Sequence, residues 1–278
     1  MARRRRRWWA PDDELEEELG LLGGDASDQL IASVPTAARS PFDESVERTL
    51  ASGEVVGVRP IPWGSNYSFI AVLSSGGSPE MLAVYKPRRG EVPLWDFPDG
   101  TLYQREYAAY RVSRALGLHF IPPTVIREGP HGVGTFQLFV EPDDSVEYYQ
   151  FRGQHVDELR AIALFDIITN NADRKAGHTF KGRDGRIWGI DHGLTFNVVP
   201  KLRTVIWDFC GEALPNELAE RLLDFVTDPA RSGALRAELA PFLHQHEIEA
   251  FFTRLERVAE RGEFPALDPY RNVPRGFF

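Results

Sequence analysis

Residues 166–178 read DIITNNADRKAGH, and residues 190–196 read IDHGLTF. The first stretch crowds two Asn, two Asp, an Arg, a Lys and a His around the end of an apolar run. The second ends an apolar run on Asp191, with Gly193 close behind. Polar groups so dense beside apolar sequence are costly unless they hold one another or a ligand. Singly, each is ordinary turn chemistry. Together, in order and on either side of a hairpin turning at Asp184-Gly185, they mark a site.

The elements around this pair differ on its two sides. C-terminal to His155 the pattern is helical: VDELRAIALFDIIT, ELAERLLDFVT, ALRAELAPFL and HEIEAFFTRLERVAERG each carry apolar residues at helical spacing. Phe251, Phe252, Leu255 and Val258 form a stripe best read as core. N-terminal to it, EVVGVRPIPWGSNYSFIAVLSSGG reads as a hairpin and MLAVYKP as a further strand stopped by Pro87. TLYQREYAAYRVSRALGL is a helix, and TVIRE and GTFQLFVE are two more strands around a GPHG turn. The links between strands are too short for helical crossovers, so the sheet should be antiparallel. The expected fold is α+β in two lobes: an antiparallel sheet lobe with one helix over residues 44–142, and a mainly helical lobe over 143–278. The polar clusters would sit at the seam. Residues 1–43 read as a flexible tail, with one short acidic helix at 12–19.

Composition narrows the function classes. The 278 residues are 42% hydrophobic and 26% charged, which is ordinary for a soluble globular chain. Against 41 Asp and Glu stand 32 Lys and Arg, a net charge of −9, so nucleic acid is not an expected partner. A single cysteine, Cys210, excludes an intramolecular disulfide and suits a reducing cytoplasm. Arg3–Trp9 could touch an anionic membrane surface, although a solvated tail is the plainer reading. No Gly-x-Ser-x-Gly appears, and the scattered histidines form no zinc pattern; His244 and His246 read as surface or capping residues.

A transferase using ATP needs a lid over phosphates, a cation on them, metal ligands, and a carboxylate beside the attacking hydroxyl. Each has a candidate. Gly64, Ser65, Asn66 and Ser68, at the hairpin tip, could approach phosphates. Lys86, in the apolar context LAVYKP, must snorkel or meet an anion, and Glu106 could aim it. The spacing places Asp173 as base, Lys175 near a transferred phosphate and His178 as a metal ligand, while Asp191 ends its strand with the carboxylate facing a cleft. Lys201 and Arg203 could meet an acidic acceptor.

The two clusters resemble the phosphatidylinositol 3-/4-kinase-like branch of the protein-kinase-like fold, particularly its bacterial type II phosphatidylinositol 4-kinase-like members. Asp166, Asn171, Asp173 and Arg174 match the spacing of that family's first motif; Asp191, Gly193 and Phe196 match the second. Lys86 and Glu106 match its ATP-holding pair more loosely. The resemblance implies ATP with Mg²⁺ or Mn²⁺ as cofactors, Asp173 as catalytic base and Asp191 as principal metal ligand. It also implies bracing of the loop by Asp166 and Asn171, and adenine near Leu138, Val140 and Ile190. His178 stands where the family carries Asn. An imidazole suits Mn²⁺ or Zn²⁺ better than Mg²⁺, so either His178 ligates such a metal, or it only hydrogen-bonds phosphate and one metal on Asp191 suffices.

The expected activity is transfer of the γ-phosphate of ATP to a hydroxyl on a lipid headgroup, a protein or a small molecule. The alternatives are a nucleotide-binding pseudokinase acting as a scaffold, motivated by His178, and transfer of AMP to a protein.

Overall fold

In MLAVYKP the side chains alternate as a strand requires. Met81, Ala83 and Tyr85 are buried, while Leu82, Val84 and Lys86 face a central cavity. The strand is β3 (Ser78–Pro87). The computed structural model describes residues 25–34, 40–62, 66–76 and 78–274. Strand β3 lies at the middle of a five-stranded sheet with β1 (Glu54–Pro60), β2 (Phe69–Ser75), β4 (Thr124–Gly129) and β5 (Gly132–Leu138). The order is β1-β2-β3-β5-β4, antiparallel at every step. Lys86 pairs with Thr135, and Pro87 with Gly134. A Cβ on Gly134 would lie 2.3 Å from the Lys86 carbonyl oxygen, so β3 and β5 approach this closely only because residue 134 has no side chain.

The face of the sheet turned away from the cavity is covered by α2 (Glu44–Ser52), which packs Val46 and Leu50 on Phe69, Leu73, Tyr85 and Phe136. Its N-cap, Asp43, accepts from Ser45 N at 2.8 Å. The helix read over TLYQREYAAYRVSRA is α3 (Leu102–Ala115). Its cap Thr101 makes no side-chain bond to the helix; instead Glu91 accepts from Leu102 N at 3.1 Å and Tyr103 N at 2.7 Å. A carboxylate there also suits the helix dipole. The sequence pattern places α3 in the sheet lobe, yet its Ala108, Ala109 and Val112 share one apolar cluster with the helical half. It therefore spans the seam.

That half contains α4 (Tyr148–Phe151), α5 (Val156–Thr169), the hairpin β6 (Thr179–Lys181) and β7 (Ile187–Gly189), and helices α6 (Asn216–Thr227), α7 (Pro229–Leu239) and α8 (Gln245–Arg261). The stripe Phe251, Phe252, Leu255 and Val258 is buried as expected. His244 N-caps α8 in a capping box with Glu247, and His246 is exposed.

Within the segment read as a tail, Asp25–Ala32 is a helix, α1, lying against β1. Leu30 sits where a Cβ on Gly57 would be, and Ile31 lines the central cavity. Short polar-rich sequence concealed this helix, because its stability comes from packing on β1 and not from propensity. The Arg3–Trp9 segment and the expected helix over 12–19 lie outside the described residues. Among the described residues no helix is long and apolar enough to cross a membrane.

Candidate active site

Helix α5 stops at Asn170, whose backbone is left-handed (φ 55°). Its amide nitrogen donates to the carbonyls of Asn197 and Val199, both at 2.8 Å, and its amide oxygen accepts from Lys201 N at 2.8 Å. The turn is thus tied to the segment after Asp191. Beneath it, Asp166 is fully buried and accepts from Arg174 Nε at 2.9 Å, Arg174 Nη2 at 2.8 Å and Asn171 Nδ2 at 2.8 Å. Arg174 Nη1 donates to the carbonyls of His178 and Ile190, each at 3.0 Å. Nη2 also meets His192 Nε2 at 2.7 Å, where the imidazole must be the acceptor because arginine has only donors. One buried guanidinium therefore joins both sequence clusters. Burial first, and then Arg174, hold the His192 pKa well below the ordinary histidine value, so this ring is neutral.

Above that base the functional groups form a chain across the seam. Lys86 Nζ lies 2.6 Å from Glu106 Oε1 and 3.2 Å from Asp191 Oδ1. The other oxygen of Glu106 accepts from His192 N at 3.0 Å, so a single residue of α3 fixes both the lysine and the backbone beside Asp191. Asp191 has a left-handed backbone (φ 61°) and a side chain 49% exposed to the cleft. A non-glycine residue in that conformation stores strain of the kind found at functional sites. Burial works against the Lys86 ammonium, but Asp191 and Glu106 outweigh it and raise its pKa. Lys86 in turn holds Asp191 far below the ordinary carboxylate range, against the effect of burial.

His178 Nε2 is 3.2 Å from Asp191 Oδ2. Its Nδ1 lies 2.8 Å from the Asp173 carbonyl and 3.5 Å from Lys175 N. A carbonyl only accepts, so Nδ1 donates to it, and Nε2 is the nitrogen turned toward the Asp191 carboxylate. Burial lowers the His178 pKa, with Asp191 opposing. Asp173 pairs with Lys175 at 3.0 Å, and burial raises its pKa against the pull of that lysine. Asn171 Oδ1 accepts from Asp173 N at 3.0 Å and sets the loop's direction.

These groups meet in a cavity of about 860 Å³ between the sheet and the helical half. Lys86, Glu106, Asp173, His178, Ile190 and Asp191 all line it, as do Asn66 and Ser68. Asn66 also accepts from Val92 N at 2.8 Å, which fastens the hairpin tip to the chain after β3. Gly64 and Ser65 lie outside the described residues. Leu138 and Val140 do not line the cavity; Phe139, between them, does. Leu138 packs on the core of the sheet instead. The alternation of side chains along an extended segment makes 138 and 140 face away when 139 faces in. Lys175 reaches the site through Asp173. Lys201 is held by Asp96 at 2.7 Å and lies 5.0 Å over the Trp95 ring, so it is committed within the fold. Ile61, Ile70, Leu82, Val84 and Leu194 form the apolar walls, and the alternation in MLAVYKP is the one sequence signal for two of them, since it puts Leu82 and Val84 on the face of Lys86.

No protein-family model matches the sequence. The chain is 36% identical over 260 residues to Protein Rv2133c of Mycobacterium tuberculosis, a match covering 81% of this chain and 92% of that protein. Over shorter spans it is similar to two plant proteins. It is 34% identical over 108 residues to phosphatidylinositol 4-kinase gamma 4 of Oryza sativa, covering 32% of this chain and 19% of the rice protein. It is 30% identical over 149 residues to phosphatidylinositol 4-kinase gamma 3 of Arabidopsis thaliana, covering 50% of this chain and 25% of that one. Among solved structures, hydra Fam20 with sugar superposes with a TM-score of 0.53 at 15% identity, covering 86% of this chain and 94% of that one. The Golgi casein kinase with Mn/ADP bound superposes with a TM-score of 0.51 at 15% identity, covering 86% and 80%. Likeness at that identity shows the fold, which is the kinase-like arrangement of a sheet lobe on a helical lobe. On its long match and this architecture, the chain belongs to the family of Protein Rv2133c, built on the kinase-like fold.

Proposed function

We propose that the chain is an ATP-dependent phosphotransferase that moves the γ-phosphoryl group to a hydroxyl acceptor. The observation that carries this reading is the meeting of Lys86, Asp173, His178 and Asp191 in one cavity, with Glu106 behind the lysine. Local similarity to plant phosphatidylinositol 4-kinases supports it.

The donor set fits a divalent ion. Two lone-pair donors, His178 Nε2 and Asp191 Oδ2, face each other at 3.2 Å, close to the roughly 3 Å between neighbouring ligands on one small ion. No third carboxylate, cysteine or imidazole completes a cage among the described residues, as expected where phosphate oxygens supply the rest. When bound, Mg²⁺ or Mn²⁺ would neutralise charge on the phosphates. Ion entry requires Asp191 Oδ2 to be free, and Lys86 contacts the other oxygen, so the two do not compete for one atom.

Lys86, held by Glu106, binds the nucleotide phosphates, while Ile70, Leu82, Val84, Phe139 and Ile190 give the base an apolar slot. Asp173 takes the proton of the acceptor hydroxyl as its oxygen bonds to the γ-phosphorus. The bond from that phosphorus to the β–γ bridging oxygen breaks, and ADP leaves. Lys175 screens the developing charge.

The test is in two steps. ATP with Mg²⁺ or Mn²⁺ should raise the melting temperature of the protein. With labelled ATP, the γ-label and not the α-label should be released or transferred, and Asp173→Ala should slow this by about 10²–10⁴-fold while binding persists. Binding without Asp173-dependent turnover would identify a nucleotide-binding scaffold, and transfer of the α-label would identify AMP transfer.

A further inference from the structure

Beside Glu106 in the sequence stands a second charge that the chemistry above does not use. Arg105 is only 1% exposed. Its Nη2 lies 2.5 Å from Glu247 Oε1, 142 residues away at the start of α8, and its Nη1 donates to the Thr195 carbonyl at 2.8 Å. Its plane lies over the Phe97 ring, 5.1 Å from the centroid, and its Nε has no hydrogen-bond partner. Glu247 is itself buried, and its other oxygen accepts from His244 N at 3.0 Å.

Two neighbouring residues of α3 therefore grip one turn at both ends. Glu106 takes His192 N, and Arg105 takes Thr195 O, while Thr195 Oγ1 donates to the His192 carbonyl at 2.7 Å. The turn between them follows Asp191 and leads to Phe196, both with left-handed backbones (φ 61° and 63°). Two such conformations in six residues persist only where surrounding contacts over-determine them. Burying an ion pair is itself expensive, and an apolar pair of similar volume would join α3 to α8 at least as well. An apolar pair could not donate to Thr195 O.

We infer that Arg105, with Glu247 as its counter-ion, is a positioning residue that locks α3 and the 192–195 turn together, fixing Asp191 in its working geometry without any activating signal. The inference rests on the phosphotransferase reading for its kinetic consequence, while the lock itself can be read on the protein alone. Through α8 the Glu106 end of α3 is tied a second time to the helical core, beside the apolar contacts of Ala108, Ala109 and Val112, so the Lys86–Glu106 pair is assembled before nucleotide arrives.

The test uses Arg105→Lys and Glu247→Gln in the full chain. Lysine keeps a cation opposite Glu247 but lacks the fork that also reaches Thr195. Glutamine keeps the shape and the cap on His244 N. Amide hydrogen exchange on the unliganded protein should show His192 and Phe196 exchanging faster in both variants, with α5 and the sheet unchanged. Turnover per folded molecule should fall on the order of 10- to 100-fold, with KM for ATP held within about twofold. A lowered melting temperature with wild-type exchange in the turn and wild-type kcat would reduce the pair to a structural strut and overturn the inference. Wild-type protein that binds but never turns over ATP would sink the phosphotransferase reading alone; the exchange measurement would still decide the lock.

Discussion

At His178 the proposed metal site comes down to one atom. With Nδ1 donating to the Asp173 carbonyl at 2.8 Å, the ring cannot rotate its lone pair away from Asp191. A nitrogen ligand favours Mn²⁺ over Mg²⁺ relative to an amide oxygen. His178→Asn should therefore lower the ratio of Mn²⁺- to Mg²⁺-supported turnover by roughly tenfold, the scale on which changes around a bound metal act. An unchanged ratio would remove His178 from the metal. This residue was legible because it stands in a dense local motif, and the same is true of Asp173 and Asp191. Arg105 and Glu247 were not legible: nothing in QREYAAY or in HQHEIEA announces a partner 142 positions away. A buried charge pair has no local signature, only the cost of each charge alone.

At the scale of elements, the strand β3 shows how far periodicity reaches. Alternation in MLAVYKP sorts core from cleft, and it puts Lys86 on the cleft face beside Leu82 and Val84. The same rule separates Phe139 from Leu138 and Val140, but it needs to know which face of β5 meets the helices, and sequence alone does not supply that. What periodicity misses altogether is how near β5 approaches. Gly134 lies where a methyl group would meet backbone, at 2.3 Å from the Lys86 carbonyl and 2.7 Å from Pro87 Cα. Backbone cannot rotate aside as a side chain can, so Gly134→Ala must push the end of β3 off β5. The expected cost is about 1–3 kcal/mol of stability, as for other overpacked sites. Moving the end of β3 also draws Lys86 away from Glu106, so ATP affinity should drop together with stability. Urea unfolding and nucleotide titration measure the two; loss of stability with wild-type affinity would show that Lys86 is held by Glu106 alone.

Across the whole molecule, charge is buried in a few connected places, and this makes stability depend on pH. The lobes, the antiparallel sheet and the helical half followed from patterns of period two and 3.6, whereas α3's membership of both halves and the helix α1 depend on packing that no pattern encodes. His192 is buried completely beside Phe120, Phe165 and Arg174, His131 almost so against Phe69 and Tyr85, and His119 is half-buried. Burial lowers the pKa of all three and of His178. With folded values below the unfolded value of about 6.5, the unfolded chain binds more protons whenever the pH lies between the two. Stability should then be complete above pH ~6.5 and be lost as the pH falls toward the folded values, by up to about 1.4 kcal/mol per pH unit for each ring that stays neutral. Asp173, with its pKa raised, works the other way, and Asp191, with its pKa depressed, adds its own loss only below about pH 4. Urea midpoints should be level from pH 8 to 7 and fall between pH 6.5 and 5. His192→Asn keeps an acceptor for Arg174 and removes one titrating ring, so its slope in that window should be shallower by about one proton. A midpoint that holds steady down to pH 5, or a variant as steep as wild type, would mean that His192 is not the neutral, solvent-free acceptor that the Arg174 contact at 2.7 Å requires.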